Sequence, residues 1–225
     1  MRDIVLLSLG GSILVPDEVN QDYLRKFVAF INRNRSRWRF IIVVGGGKTC
    51  RNYQNTARRA GVKNPAFLDW VGIMATRLNA ELLRSVFGPL AEDRVVIDPT
   101  KKFRFKKSVM IAAGYKPGWS TDFDAALLAK NYGAKRIINL SNIDSVYNKD
   151  PKKHRDAAPV KSATWKEFFK IIGTKWNPGD NLPFDPVASN LAQKEGMEVI
   201  IANGWNLKNL QNILDAKKFR GTRIF

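Results

Sequence analysis

The chain has 225 residues, 44% of them apolar, enough for one large α/β domain or two small ones and too apolar for a disordered chain. Its single cysteine, Cys50, excludes an intramolecular disulfide, and its single histidine, His154, set in a polar stretch between Lys153 and Arg155, leaves histidine-centred metal or triad chemistry without material. A formal net charge of +18 asks for anionic partners, while no stretch is apolar enough to span a membrane or serve as a secretory signal, so a cytoplasmic location is expected.

The first apolar run, Ile4 to Leu9, has the length of a strand buried on both faces and hands over to Gly10, Gly11 and Ser12. A helical period covers Tyr23 to Ile31, and an arginine cluster follows at Arg33, Arg35, Arg37 and Arg39. The second strand, Phe40 to Val44, runs into Gly45, Gly46 and Gly47, then Lys48 and a helix over Thr49 to Ala60. Without Cβ atoms such a turn lets a phosphate approach, and the amides at the next helix start supply hydrogen bonds; close packing explains a glycine run equally well. A P-loop needs glycine where Ile42 stands and a dinucleotide fingerprint needs it at Cys50, so both motifs fail.

Helical period returns over Val71 to Phe87, where Val71, Met74, Leu78 and Leu82 share one stripe that is expected to pack into the core. Asp98 to Ser108 reads as a loop, and within it "KKFRFKK" (101–107) alternates cations with Phe103 and Phe105. A nucleic-acid protein uses such a run for phosphate contacts and base stacking; a solvated basic surface on an anion-handling enzyme is the plainer reading.

The strand Val109 to Ala112 leads into "GYKPGWSTD" (114–122) and a helix over Phe123 to Tyr132, with capping-box spacing at Thr121 and Asp124 and a closing Gly133. After the strand Arg136 to Leu140 comes "SNIDSVYNKDP" (141–151), whose Asp144, Tyr147 and Asp150 suit a nucleoside or metal-bound phosphate, or an ordinary polar turn. Trp176 to Pro183 reads as a loop, Asp185 as an N-cap with Pro186 opening a helix through Glu195, and Gly196 as its stop. The strand Glu198 to Ala202 and a helix over Leu207 to Leu214 complete the alternation, which predicts one domain, 1–225, with a parallel sheet covered on both faces. Three small-residue loops then meet at the carboxyl edge of that sheet, where ligands of such folds bind.

Six stretches in order, "LGGSILVPD", "VVGGGKTCRNY", "LDWVGIMATRLNAELL", "GYKPGWSTDFDAALLA", "NLSNIDSVYNKDP" and "FDPVAS", resemble the amino-acid kinase superfamily, most closely its archaeal-type uridylate (UMP) kinase branch. The resemblance covers nearly the whole chain. It implies a three-layer αβα sandwich around a mainly parallel sheet, the acceptor nucleotide in the N-terminal part and ATP in the C-terminal part. It also implies direct transfer of the ATP γ-phosphoryl group to UMP with Mg²⁺ as cofactor, chemistry that rests on alignment and charge neutralisation.

By this resemblance Gly11, Ser12 and Gly47 lie on the donor phosphates and Gly46 on the acceptor phosphate. Lys48, Arg51 and Asp185 form the catalytic set, Arg51 holding a phosphate oxygen and Asp185 orienting the cations of the site. Asp69 takes the acceptor ribose, and Tyr115, Lys116, Pro117, Gly118, Trp119, Ser120 and Thr121 line UMP, with Trp119 stacking on or bordering the nucleotide. Ser141, Asn142, Tyr147 and Asp150 hold ATP; no residue is assigned as a metal ligand. Relatives assemble as hexamers built from dimers through the helix from Val71, so a homo-oligomer is expected, with polyanion contact open to the basic surface.

The chain departs from the family pattern at three places. Ser8 stands where most members carry a lysine, with Lys48 as the nearest substitute cation. Ser145 replaces a glycine, at a cost of about 1 kcal/mol if the position needs positive φ, and Ala113-Gly114 replaces a glycine pair. Two other readings share these residues: a non-catalytic nucleotide- or oxoanion-binding member of the same fold, and a basic nucleic-acid-binding protein.

Overall fold

The computed structural model describes residues 2–151, 153–173 and 182–225. In chain order these form β1 (Asp3–Leu9), α1 (Gly11–Leu14), α2 (Gln21–Asn34), β2 (Trp38–Val44), α3 (Gly47–Arg59), α4 (Pro65–Phe87), β3 (Val109–Ala112), α5 (Thr121–Tyr132) and β4 (Arg136–Ser141). There follow the short strands β5 (Val146–Tyr147), β6 (Pro159–Val160) and β7 (Ser162–Ala163), then α6 (Trp165–Ile172), α7 (Pro186–Lys194), β8 (Glu198–Asn203), α8 (Leu207–Leu214) and β9 (Thr222–Ile224). The main sheet has the order β3-β2-β1-β4-β8-β9-β7, parallel throughout except where β9 runs antiparallel to β8.

The central strands are apolar along their whole length because both faces are covered. In β1, Val5, Leu7 and Leu9 point into a core with α1, α2, α4 and α8, while Leu6 points into a second core with α5, α6 and α7. The same alternation divides Phe40, Ile42 and Val44 from Ile41 and Val43 in β2. Each such side chain, taken fully out of water, contributes about 1.5–3 kcal/mol, so the sheet is the rigid base on which the loops at its carboxyl edge stand. Helix α3 shares in neither core; it lies along α4, where bare Gly72 leaves room for Gln54 and Cys50.

Every strand and helix expected from the sequence is present, with ends shifted by a few residues. Asp185 caps α7 by accepting from the Val187 amide, Pro186 occupies the first turn, and Gly133 ends α5 in the left-handed conformation at φ 70. His154 is exposed, as expected. The loop expected over Trp176 to Pro183, Trp176 included, lies almost wholly outside the described residues.

Three local expectations need correction. The cap of α5 is Ser120, one residue earlier than Thr121, and Asp124 is a buried carboxyl rather than half of a capping box. The true reciprocal capping box, Thr164 with Glu167, opens α6, an element the sequence reading omitted. Met74 and Leu78 are 57% and 64% exposed, so the middle of the stripe expected in the core faces outward, while Val71 is half-buried and Leu82 packs against the first core. A narrow stripe has one helical period whichever side it faces, and α4 buries a different one: Ile73, Ala80, Leu83 and Phe87. Ser145 does not have positive φ, so the strain considered for it does not arise. Among the described residues no helix is long and apolar enough to cross a membrane.

Candidate active site

The two glycine loops interlock. A Cβ on Gly11 would lie 2.0 Å from the Gly47 amide nitrogen, and one on Gly45 would lie 2.6 Å from the Gly11 nitrogen. Gly47 has φ +62, and its Cβ would meet the Gly11 carbonyl oxygen at 2.4 Å. Packing therefore demands glycine at these positions, and the same packing brings two sets of amides together. Gly10 N–H donates to Leu140 O, Gly45 N–H to Leu9 O and Lys48 N–H to Val15 O. The amides of Gly11, Ser12, Gly46 and Gly47 have no acceptor among the described residues. Arg51 reaches from the second turn of α3 to within 3.3 Å of Ser12 Oγ, bridging the loops. Lys48 Nζ lies 3.5 Å from Asp17 in an exposed pair.

A third loop, 114–120, leaves β3 and is held by side chains. Thr76 Oγ1 accepts from Gly114 N–H at 2.9 Å, and Arg77 donates to Gly114 O at 3.2 Å and Tyr115 O at 2.8 Å. Asp124 accepts from Tyr115 N–H, and Asp69 Oδ2 accepts from Gly118 N–H at 2.8 Å, where Gly118 has φ +80. Ser120 accepts from Phe123 N–H and donates to Asp185, tying the end of this loop to α7. Trp119 stands edge-on between Tyr115 and Phe123, ring centres 5.3 and 4.7 Å away, with the Lys116 ammonium 4.5 Å over its ring. These contacts make Trp119 part of a wall along the loop.

Beneath the loops lie two carboxyls, Asp122 and Asp124, to which the sequence assigned no site role. Asp122 is held by neutral donors: Ser8 Oγ at 3.0 Å, Asn139 Nδ2 at 3.3 Å and the Asp185 amide at 3.3 Å. Burial pushes its carboxyl up to about 7, with the nearby Asp185 charge adding to the shift. Burial likewise pushes Asp124 up to about 7, and its Oδ1 has no hydrogen-bond partner. Ser8, at the usual lysine position, thus meets a carboxyl whose ionisation burial suppresses. The only hint in the sequence was two aspartates ahead of an apolar helix face; Arg77, Thr76 and Asn79 gave none, being ordinary helix residues.

The segment 141–150 starts where β4 ends, beside Gly10. Asn142 and Asp150 are exposed, Ser141 and Tyr147 half-buried, and the Asp150 carbonyl accepts from the Lys153 and His154 amides. Asp144 is held by Asn203 at 2.9 Å and Arg220 at 2.8 Å, while buried Thr222 accepts from Val146 N–H at 2.8 Å and donates to Val160 O. Away from this edge, Phe103 and Phe105 pack against the second core beneath Arg94 and Arg39, 4.5 and 3.7 Å from the ring centres. Their faces are covered, so the basic run 101–107 offers charge without the stacking platform considered above.

Comparison with known proteins matches residues 3–203 to the Amino acid kinase family. A uridylate kinase of Thermoplasma volcanium is 34% identical over 223 residues, 96% of this chain and 95% of the relative. One from Methanospirillum hungatei is also 34% identical over 223 residues, 98% of this chain and 94% of the relative. The crystal structure of uridylate kinase from Archaeoglobus fulgidus superimposes with a TM-score of 0.83 at 30% identity over 100% of both chains. That of UMP kinase from Ureaplasma parvum, at 19% identity and TM-score 0.79 over 100% of this chain and 99% of its own, is a likeness of fold.

Proposed function

The chain belongs to the amino acid kinase family, and on that premise we propose that it is an ATP-dependent UMP kinase, transferring the γ-phosphoryl group of ATP directly to UMP to give UDP. The observation that carries this reading is the set of four amides, from Gly11, Ser12, Gly46 and Gly47, on two interlocked loops bridged by Arg51. Such amides bind phosphate oxygens without reorganising. ATP lies with its phosphates over Gly11, Ser12 and Gly47 and its nucleoside along Ser141, Asn142, Tyr147 and Asp150. UMP takes Gly46 and the wall from Tyr115 to Thr121, and Asp69, whose Oδ2 holds the Gly118 amide, keeps Oδ1 for the ribose.

The attacking group is a phosphate oxygen of UMP, already anionic at neutral pH, so the step needs alignment and charge neutralisation rather than a general base. Arg51 supplies a fork of N–H donors from a helix, and Lys48 a mobile cation. Its exposed pair with Asp17 contributes at most about 1 kcal/mol, so the ammonium turns to a phosphate at little cost. Asp185, rigid as an N-cap with both oxygens hydrogen-bonded, orients these cations and ties the UMP wall to α7.

Among the described residues no group of three or more His, Cys, Asp or Glu stands close enough to hold a metal ion. Mg²⁺ keeps several waters and takes only one or two carboxylates, so it would arrive with ATP; Asp185, which accepts from Ser120 Oγ and the Val187 amide, is the carboxylate that would hold it. Held there, the cation would supply charge neutralisation for the donor phosphates.

On the outer face of α4, Phe67, Trp70, Met74 and Leu78 are 62%, 43%, 57% and 64% exposed. This stripe supports a homo-oligomer, which the family resemblance makes a hexamer of three dimers; the double substitution Met74→Glu, Leu78→Glu lowers the sedimentation coefficient if a second copy covers it. The activity is tested with a panel of nucleoside monophosphates, ATP and Mg²⁺, where UMP is the expected substrate. No turnover with any monophosphate overturns the proposal. Arg51→Ala and Lys48→Ala each lower turnover at least about tenfold, one charge-assisted hydrogen bond in a transition state.

A further inference from the structure

One turn of α4 touches two of the three loops at the site. Thr76 and Arg77 hold Gly114 and Tyr115, and Asn79 donates through Nδ2 to Gly45 O at 3.0 Å and Gly46 O at 3.1 Å. From Thr76 to Asn79 a helix rises only about 4.5 Å. Thr76 and Asn79 are buried, at 6% and 3% exposure, and Arg77 is half-buried, so their positions are set by the packing of α4 against the sheet.

The carbonyls chosen by these side chains matter because a trans peptide is planar, with its C=O and N–H pointing opposite ways. Asn79, by holding the Gly45 and Gly46 carbonyls toward α4, turns the Gly46 and Gly47 N–H groups away from the helix. These are two of the four amides without an acceptor among the described residues. Arg77 does the same for the next loop: holding Tyr115 O aims the Lys116 N–H away from α4, and holding Gly114 O keeps the Tyr115 N–H on Asp124.

We propose that Asn79 and Arg77 are positioning residues for phosphoryl transfer, aiming the glycine-loop amides and spacing them from the 114–120 loop. Neither side chain need touch a nucleotide. The inference rests on the UMP kinase reading for its substrates and on the carbonyl bonds for its geometry. Because Gly46 and Gly47 serve different nucleotides whereas the 114–120 loop serves one, the two residues have different kinetic signatures. Loss of Arg77 weakens UMP alone; loss of Asn79 weakens UMP and ATP together.

The test compares Arg77→Met, Arg77→Lys, Asn79→Ala and Asn79→Ser with the unaltered 225-residue chain, by KM for each nucleotide and by amide hydrogen exchange over residues 114–120. Arg77→Met is expected to raise KM for UMP about tenfold, leave KM for ATP within about twofold and speed exchange at Tyr115 and Gly118, the two loop amides held by carboxylates. Arg77→Lys, which keeps the charge but replaces the two-nitrogen fork with a single ammonium, falls between. Asn79→Ser, the milder variant should Asn79→Ala fail to fold, raises both KM values about threefold or more. Unchanged KM values with unchanged exchange in Arg77→Met overturn the proposal, as does an equal loss for both nucleotides in every variant, the mark of general destabilisation. If the unaltered protein phosphorylates no monophosphate, the UMP kinase reading fails. Exchange over 114–120 in Arg77→Met still decides whether Arg77 holds the loop: faster exchange keeps that part of the inference, and no change overturns it.

Discussion

The loops 114–120 and 141–150 both leave the carboxyl ends of parallel strands, yet they are held in different ways. The first is tied by side chains of two packed helices: Thr76, Arg77 and Asp69 from α4, Asp124 from α5. The second is held from β8 and the C-terminal end of the chain, through Asn203 on Asp144, buried Thr222 on Val146, and an ion pair between Arg220 and Asp144 whose side chains are 73% and 36% exposed. A buried side chain on a long helix cannot shift without moving the core, whereas an exposed pair is screened and mobile. The 114–120 loop is therefore the fixed wall of the site, and the 141–150 loop the adjustable one.

The contrast is broken most severely at Ser120, which ends the fixed wall. Ser120→Ala removes the bond to Asp185 and the cap of α5 together. A hydrogen bond to a charged group contributes about 1.5–3 kcal/mol, so kcat/KM for UMP falls roughly 10- to 100-fold in steady-state assays. On the adjustable side the strongest expected effect belongs to Thr222→Val, which strands the Val146 amide in the interior and leaves the half-buried Val160 carbonyl without its donor. A stranded group costs about 1–3 kcal/mol. Calorimetry should show Tm lower by roughly 5 °C, with KM for ATP raised more than KM for UMP; equal changes would erase the distinction between the walls.

Smaller in size is the pH dependence of the fixed wall. Asp124 titrates near 3.8 in an unfolded chain and is pushed up to about 7 by burial in the fold. Between those values the folded state binds more protons, so stability falls as pH rises from about 4 to about 7. Asp122, pushed up to about 7 in the same way, adds a second share. Asp124→Asn keeps an oxygen for the Tyr115 amide and removes one titration, so the decline of Tm between pH 5 and 8 becomes shallower, by about half if the two carboxyls contribute alike. The smallest effect is expected at Arg220→Ala: an exposed ion pair is worth about 0–1 kcal/mol, so Tm moves by a degree or two and KM for ATP rises about two- to threefold.

What was readable from the residues, and what was not, divides by distance along the chain. The strand Val109–Ala112 and the helix Leu207–Leu214 lie where expected, because a buried run and a helical period are local patterns. The cap at Asp185 was equally readable, since N-cap and first-turn proline are adjacent. The expectation for Met74 and Leu78 failed because periodicity reports a face without saying what covers it. The glycine run had two explanations that no sequence could separate: Gly11, Gly45 and Gly47 are required by backbones that approach within van der Waals distance, and that approach is also what gathers the amides.

Alternating and 3.6-residue spacing, turn chemistry and six ordered motifs were enough to specify an α/β chain with three loops at one sheet edge, because each of these signals spans only a few residues. The partners of those loops follow from the strand order β3-β2-β1-β4, which sets Ser8 against Asp122 across 114 positions and Asn79 against Gly45 across 34. Which carboxyl is buried, which amide is turned outward and which stripe of α4 meets water are consequences of that packing, since burial and hydrogen-bond direction belong to pairs of groups and no single stretch of residues contains both.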